Sequence, residues 1–357
     1  MDVTIVEPDD TTASAQLFAL HQAVHAADWP DLPEPLWEPF LAELRQPSPE
    51  VRVERLAARI NGQVVGEAVI ALPEFDNRHL AICALNVLPA HRRRGVGRAL
   101  LAEVCQRARA EQRRSLLCGA SQAVPGGPPR PDAGPRFLEA TGFAPALAAR
   151  QRRIDLTAVD SAAEQDLLAE CLPHATGYEC VSWTGPTPDR FAGEVARLVN
   201  RLNTDAPTGD VEVTASTMDA TRLRAEERVA LNRGTHLVAV AARHRDTGEL
   251  AAITRVDVRP IGDHGTIWVT IADPRHRGHR LGTIVKIELH RLLRRDFPGL
   301  RHLYTGNADE NAQMVAINDR LGYLAYDAGA LYQLALEPPA APPPAAPPSA
   351  APPPAAP

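Results

Sequence analysis

Apolar positions along this chain recur with periods of about two and about 3.6 residues, which are typical of strands and of helices. A first run predicts strands at 3–6, 51–60, 63–72, 80–88 and 115–118 and helices at 13–26, 36–44, 97–110 and 136–141. Asn61 and Gly62 tolerate a positive φ, so they indicate a two-residue hairpin between two of these strands. Val96, Leu100 and Val104 form the apolar stripe of the third helix.

A second run repeats this pattern of strands, helices and turns. It predicts helices at 190–202, 218–232, 281–294 and 310–320 and strands at 236–244, 250–258, 266–272 and 302–305. Aligned on their turns, the runs pair Gly95 with Gly278 and Gly142 with Gly322. The sequence therefore predicts an internal duplication. We expect one domain over 1–157, a linker over 158–163 and a second domain over 164–336.

The C-terminus differs in composition from the rest of the chain. Residues 338–357 comprise 11 prolines, 8 alanines and one serine. Proline lacks a backbone donor and alanine has little area to bury, so we expect a disordered, polyproline-II-like tail over 337–357.

Charge and composition exclude several function classes. The formal net charge is −6 and the pI is near 6.1, unlike the basic balance of a general nucleic-acid binder. The basic run at 91–94 has few aromatic neighbours for base stacking, so we expect no nucleic-acid partner. The absence of an 18-residue apolar run and of a signal-peptide pattern predicts a cytoplasmic protein with no membrane partner.

Cysteines and histidines give no metal pattern. The five cysteines are odd in number and widely spaced, which favours free thiols in a reducing compartment. His276 with His279, and Cys171 with Cys180, lack a second ligand pair at a zinc spacing. We expect no metal.

The informative chemistry lies in a basic, glycine-containing turn between a strand and a helix, present in both runs. The first copy covers 87–98 and the second covers 271–282. Such glycines let successive amides converge at a helix N-terminus, where a pyrophosphate binds with the help of arginines. A Walker loop requires a lysine that neither turn has, and Leu100 stands where a dinucleotide fingerprint has its third glycine.

Both turns resemble the Arg-x-x-Gly-x-Gly/Ala turn of the GNAT superfamily of acyl-CoA-dependent N-acetyltransferases. The segment at 305–323 resembles the GNAT strand and helix that end in Gly-Phe. With 203–210 and Glu226-Glu227, the second half is similar to tandem GNAT proteins of actinobacteria, the broad group that includes mycothiol synthase. The resemblance implies an α/β (α+β) fold with two tandem GNAT domains. Each would be a mixed, mainly antiparallel sheet flanked by helices and splayed between its fourth and fifth strands.

The resemblance also implies acetyl-CoA as the acyl donor and cofactor. The residues that it places at the cofactor are Val87, Leu88, Arg92, Arg93, Arg94, Gly95, Val96, Gly97, Arg98, Ile271, Ala272, Arg275, His276, Arg277, Gly278, His279, Arg280, Leu281, Gly282, Asn307 and Asn311. The amides near Ile271 and Ala272 are the expected donors to the developing oxyanion. The second turn departs from the family in having Arg280 where the second small residue belongs, with Gly282 two positions later.

The catalytic residues depart further from the family. Many members carry a tyrosine acid four residues before the Gly of Gly-Phe, where this chain has Asn318 and Leu138. Tyr304 or Tyr323 is the alternative acid. The fourth strand of the second run lacks the usual carboxylate, which leaves Asp263 and His264 at its start as candidate bases, besides a chain of water molecules.

We therefore predict catalytic roles for Asp263, His264 and Tyr304, and contacts of Asp205 and Asp210 with a cationic amine. We expect the second half to be catalytic and the first to bind acyl-CoA or act structurally. The predicted reaction is direct transfer of an acetyl group to a primary amine on a small molecule. Alternatives are acetylation of a protein lysine or N-terminus, and acyl-CoA binding or sensing without turnover. A monomer and a homodimer are both compatible with the sequence.

Overall fold

The computed structural model describes residues 1–45, 50–205, 209–214 and 217–336, with the backbone alone for 202–205. Its strands are β1 (Asp2–Ile5), β2 (Val51–Ile60), β3 (Gln63–Pro73), β4 (Leu80–Val87), β5 (Ser115–Gln122), β6 (Ala144–Asp155), β7 (Tyr178–Thr184), β8 (His236–His244), β9 (Leu250–Val258), β10 (His264–Ala272), β11 (His302–Ala308) and β12 (Leu324–Ala335). Its helices are α1 (Thr11–Asp28), α2 (Trp37–Arg45), α3 (Val96–Ala110), α4 (Ala133–Ala140), α5 (Ser161–Cys171), α6 (Asp189–Asp205), α7 (Ala220–Asn232), α8 (Leu281–Asp296) and α9 (Ala312–Arg320).

Within these ranges the strands form one twelve-stranded sheet in the order β1-β2-β3-β4-β5-β12-β6-β11-β10-β9-β8-β7. If each strand of the first half is exchanged with the strand six numbers later, the same order results, read from the opposite edge of the sheet. This symmetry is expected for a duplicated unit. Adjacent strands are antiparallel except β4 with β5 and β10 with β11. The predicted mixed, mainly antiparallel sheet flanked by helices is confirmed.

The last strand of each half crosses to the other half. β12 pairs with β5 of the first half, and β6 pairs with β11 of the second half. The two crossing strands also pair with each other at the centre, from Leu324 opposite Arg153 to Gln333 opposite Ala144. Neither half therefore completes its sheet with its own strands alone. The domain boundaries at 157 and 164 stay predictions.

The cores are shared in the same way. Tyr332 and Leu336, from the end of the second half, lie in the core between the first half's sheet and α3. Ile154 and Leu156, from the first half, lie in the core under α8. Because buried apolar area is the main source of stability, each half depends on side chains that the other half supplies.

Helices cover both faces of the outer strands. Along β8, Val238 and Val240 join the core beneath α8, whereas Ala239 and Ala241 join the core beneath α6 and α7. Side chains alternate between the two faces of a strand, so a strand covered on both sides is a continuous apolar run. This explains why the sequence pattern located β8 and β9 well.

Four elements were not predicted from the sequence: β6, α5, β7 and β12. The helix α5 starts within the region expected to be linker, and Asp160 caps it by accepting hydrogen bonds from the amides of Ala162 and Ala163 (2.9 and 3.1 Å). The predicted Pro/Ala tail lies outside the described residues. No helix among those described is long and apolar enough to span a lipid bilayer.

Strand exchange predicts that the halves fold only together. Co-expressed fragments 1–160 and 161–336 should purify as a 1:1 complex, because each fragment alone leaves an unpaired strand edge and an incomplete core. Affinity co-purification followed by light scattering measures this. Tyr332→Ala in the second fragment should weaken the complex, because truncating a buried aromatic side chain costs about 3–5 kcal/mol. Two fragments that melt cooperatively as separate monomers would contradict the prediction.

Candidate active site

A gap opens between β10 and β11 in the second half. The two strands pair in parallel from His264 opposite His302 to Thr266 opposite Tyr304, and then diverge. Beyond that point β10 continues to Ala272 and β11 to Ala308. The first half has the corresponding gap, because β4 and β5 pair only as far as Cys83 and Cys118.

The basic turn after β10 follows the same path as the turn after β4. Each begins with a one-turn 3-10 helix, at Pro274–His276 and Pro89–His91, and a longer helix begins seven residues after the proline in both. Positive φ angles fall at matching places: 86° at Gly278 and 62° at Arg93, then 56° at Arg280 and 86° at Gly95.

This geometry corrects the alignment of the two turns. Gly278 corresponds to Arg93 and Arg280 corresponds to Gly95, so the pairing of Gly95 with Gly278 was off by two residues. In the Arg-x-x-Gly-x-Gly/Ala turn, the second half therefore has Arg280 at the first small position and keeps a glycine, Gly282, at the second. An L-residue in the left-handed conformation costs roughly 1–2 kcal/mol, and a cation at a helix N-terminus opposes the helix dipole. A bound anion would offset the second cost at Arg280.

A cavity of about 470 Å³ lies at the open end of the gap. Its lining residues are His174, Thr270, Ile271, Ala272, His276, Arg277, Gly278, Arg280, Leu281, Gly282, Thr283, Asn311, Gln313, Met314, Ala316, Ile317 and Arg320. Three of these are arginines and none is a carboxylate. The lining has the charge that a phosphate-bearing ligand requires.

Most residues predicted at the cofactor in the second half line this cavity, and three do not. Arg275 pairs instead with Asp273 and Glu249. The Nδ1 atom of His279 lies 2.7 Å from the carbonyl oxygen of His174. Asn307 accepts a hydrogen bond from Asn318 (2.6 Å).

One of the two expected amide donors faces the gap. The amide of Asp273 donates to the carbonyl of Ala251 on β9 (2.8 Å). Amide directions alternate along an antiparallel ladder, so Ile271 also points to β9, whereas Thr270 and Ala272 point into the gap. Of the amides near Ile271 and Ala272 that were expected as donors, Ala272 therefore faces the gap together with Thr270, and their role as donors stays a prediction.

The predicted catalytic residues form one cluster at the closed end of the gap. The His264 and Tyr304 rings are 6.0 Å apart, and the Asp263 carboxylate lies 3.5 Å from His302 Nδ1. Burial lowers the pKa of His264 and raises the pKa of Tyr304. None of the three lines the cavity, and His264 lies six positions, or about 20 Å, before Thr270 along the strand. Their catalytic roles stay predictions.

Neither of the two predicted substrate aspartates is found at the cavity. Asp210 lies elsewhere, and the side chain of Asp205 is outside the described residues. Asp205 is the last residue of α6, and its side chain lies outside the described residues. Asp210 is exposed, and its amide donates to the carbonyl of Ala146 on β6 (2.8 Å). Asp210 therefore lies over the centre of the sheet.

The first-half turn is engaged differently. Arg92 forms a bidentate pair with Asp28 (2.8 and 2.7 Å) and also donates to the carbonyl of Val87. Val87 and Leu88 pack against the first half's core. A Cβ at Gly97 would lie 3.2 Å from the Phe137 ring. Arg93, Arg94 and Arg98 are exposed and make no hydrogen bond or ion pair with the described residues.

A buried polar network lies behind the cavity. The chain's one lysine, Lys286, donates to Asn318 Oδ1 (2.5 Å) and lies 4.4 Å from the centroid of the Tyr323 ring. The Tyr323 hydroxyl is 2.9 Å from His290 Nε2, and His290 Nδ1 is 3.0 Å from Glu164. Asn318, at the family's tyrosine position, thus joins Lys286 to Asn307.

Sequence reasoning missed eight of the cavity residues: His174, Thr270, Thr283, Gln313, Met314, Ala316, Ile317 and Arg320. Arg320 ends α9, where a basic residue is ordinary because it complements the helix dipole. His174 belongs to an unpredicted 3-10 segment, Leu172–Ala175. Within the described residues no group of three or more His, Cys, Asp and Glu side chains could hold a metal ion.

Comparisons with known proteins show similarity to acetyltransferases. Residues 14–123 match the model of the Acetyltransferase (GNAT) family. A tandem GNAT protein from the clavulanic acid biosynthesis pathway is 27% identical, with a TM-score of 0.78 over 94% of this chain and 99% of that one. The comparison with curated proteins gave no significant match.

Two more distant structures share the fold. A GCN5-related N-acetyltransferase from Sphaerobacter thermophilus is 14% identical, with a TM-score of 0.65 over 94% of this chain and 95% of that one. A glucosamine N-acetyltransferase region of a fungal GH3 β-N-acetylglucosaminidase is 14% identical with a TM-score of 0.65, over 93% of this chain and 38% of that one.

Two arginines of one turn provide a matched test of the cavity. Arg280→Gln should weaken coenzyme A binding about tenfold or more, because a charge-assisted contact to phosphate is worth about 1.5–3 kcal/mol. Arg275→Gln should change it less than about threefold, because Arg275 is held by Asp273 and Glu249. Calorimetric titration measures both affinities. Equal losses would show that the cavity is not the phosphate site.

Lys286 should give the free energy of unfolding a distinctive pH dependence. Burial lowers its pKa from the usual 10.5 to about 7. Between these values the unfolded chain binds a proton that the folded chain does not, so stability rises with pH, by up to about 1.4 kcal/mol per pH unit.

Replacement by Lys286→Met removes this contribution. Urea unfolding at pH 7, 8 and 9 should therefore show the wild type gaining about 2 kcal/mol relative to the variant. Parallel profiles of the two proteins would show that Lys286 keeps an ordinary pKa when folded.

Proposed function

We propose that this chain is a tandem protein of the GNAT acetyltransferase family and that its second half transfers the acetyl group of acetyl-CoA to a primary amine on a small molecule. The observation that carries this proposal is the cavity at the open end of the β10–β11 gap. Three arginines line it without a carboxylate, next to the N-terminus of α8.

The cavity residues fit the acyl donor. Arg277, Arg280 and the first turn of α8 would hold its phosphates, since a helix N-terminus with converging arginines is a general anion site. Asn311 and Ile317 line the α9 side. Acetyl-CoA supplies an activated acyl group as a thioester, and the protein's part is to position the amine beside it.

The gap-facing amides support the chemical step. When the amine nitrogen bonds to the acyl carbon and the carbon–sulfur bond breaks, negative charge develops on the acyl oxygen and then on sulfur. The Thr270 and Ala272 amides point into the gap and are suited to stabilise the oxygen. Such fixed donors are worth about 10²–10³ in kcat in enzymes that use them.

Two observations favour a small acceptor. Asp31, in the segment between α1 and α2, pairs with Arg130 (2.6 Å) and lies 3.7 Å from Arg153 on β6, which spans the centre of the sheet. Residues 209–214 lie over the same central strands through Val211 and Asp210. Segments that cross the centre leave less room for a folded protein substrate. The mycothiol-synthase-like group, cytoplasmic location and oligomeric state stay predictions.

Acetyl-CoA turnover in glutamate variants of the two turns tests the proposal. Gly278 and Gly95 both have a φ of 86° and open space around an added Cβ, so the two substitutions carry similar backbone strain. Amine-dependent release of thiol, measured over a broad panel of amines, should fall at least about a hundredfold in Gly278→Glu and remain in Gly95→Glu.

The other outcomes identify the alternatives. Loss in Gly95→Glu alone would make the first half the enzyme. Coenzyme A binding without thiol release for any amine would support a sensing protein. Thiol release with peptides but not with free amines would support protein acetylation.

A further inference from the structure

A second polar site lies beside the gap, on the sheet face that carries α6 and α7. The register between β10 and β9 shifts between Ile267 and Val269, which leaves Trp268 in a β-bulge. This bulge comes two residues after Thr266, the last residue of β10 that pairs with β11. Bulges often lie next to active sites because they redirect a side chain. Trp268 therefore lies where the strands begin to separate.

Arg255 on β9 covers this tryptophan. Its guanidinium carbon is 3.5 Å from the Trp268 ring centroid, and its Nε and Nη2 atoms donate to Asp257 (3.0 and 3.3 Å). The Arg255 side chain is only 5% exposed. Its remaining nitrogen, Nη1, is buried and has no hydrogen-bond partner among the described residues.

Glu226 on α7 presents a second unpartnered atom at this site. Its Oε2 atom is buried and has no hydrogen-bond partner within the described part of the chain. Burial raises the pKa of Glu226, and the charged groups that act on it are Arg255, Glu50, Arg222 and Asp257. Glu50 belongs to the first half and is bound by Arg222 (2.5 Å), so both halves contribute to the site.

A buried donor and a buried acceptor without partners are costly, since leaving such a group unsatisfied costs about 1–3 kcal/mol, and more when it is charged. One ligand that carries both a carboxylate and an ammonium group would satisfy both atoms. In the described part of the first half, Val69 occupies the position of Arg255 relative to the ends of the strands, so the buried guanidinium has no counterpart there.

We propose that the acceptor is a small amino acid-like molecule whose carboxylate binds Arg255 Nη1 and whose amine is deprotonated by Glu226. This inference rests on the proposed function. The ammonium group gives one proton to Glu226, and the free amine bonds to the acyl carbon as the carbon–sulfur bond breaks. The second proton of the amine passes to the departing sulfur, and Glu226 returns its proton to water. The products are the N-acetylated acceptor and coenzyme A.

Matched acceptors test the carboxylate contact. Each amino acid of a panel is compared with its methyl ester and with the amine that lacks the carboxylate. The wild type should use the acid at least about tenfold better in kcat/KM, because charged hydrogen bonds contribute about 1.5–3 kcal/mol. Arg255→Gln should abolish this preference by raising KM for the acid alone. A matched control, Arg243→Gln, removes an arginine that pairs with Glu179 on the neighbouring strands and should keep the preference.

The isosteric Glu226→Gln variant tests the base. It should lower kcat about 10²–10⁴-fold and remove the acidic limb of the pH profile, while coenzyme A affinity stays within twofold. The control Glu179→Gln should leave both unchanged. A Glu226→Gln enzyme with near wild-type kcat and an unchanged pH profile would overturn the role of Glu226.

Failure of this inference can be distinguished from failure of the proposed function. If the wild type acetylates esters and simple amines as well as acids, the proposed function stands and the carboxylate site is wrong. If no amine is acetylated, calorimetric titration of the amino acids into coenzyme A-loaded protein tests whether Arg255 binds their carboxylate. Binding that Arg255→Gln abolishes supports it, and binding that Arg255→Gln leaves unchanged, or an absence of binding, overturns it.

Discussion

The antiparallel pairing of β6 with β12 is the constraint on which the rest of the structure depends. These two strands are the last of their halves, and each completes the sheet and core of the other half. β11, which forms one side of the β10–β11 gap, is held on its other edge by β6 from the first half. The geometry of the gap is therefore a property of the whole chain, and a functional second half requires the first.

Within this symmetric frame the two halves have diverged in charge. Arg280 stands in the left-handed position that Gly95 occupies in the first half, and Arg255 stands where the first half has Val69. Conversely, the first half buries Glu67 between His21 (2.6 Å) and Arg55 (2.9 Å), at the strand position of the apolar Ile253. The pKa of Glu67 is lowered by these two partners despite its burial. Arg280 lines the cavity, whereas the Glu67 carboxylate is paired with both His21 and Arg55.

The sequence predicted the parts of the fold that local patterns encode. Strands covered on both faces are continuous apolar runs, and helices such as α3 and α6 carry a 3.6-residue apolar stripe. The crossing strands were missed because β6 is rich in alanine and arginine, and β12 in alanine, which have little strand propensity. Their structure follows from a partner strand far away in sequence, as in the pairing of Ala330 with Ala148.

The candidate active site was also predicted only where a local sequence pattern encodes it. The basic turn carries a local signature, so most cavity residues on it were found. The shift of two residues between the turns was not visible, because the left-handed positions hold a glycine in one half and an arginine in the other. Glu226, Arg255 and Trp268 come from a helix and two strands, and only the fold brings them together.

The central claim is that the second half holds the acyl donor, and hydrogen–deuterium exchange with and without acetyl-CoA tests it most directly. The account predicts slower exchange on binding in peptides that cover 270–283 and 311–320, with no change in 87–98. Slower exchange confined to 87–98 would contradict it.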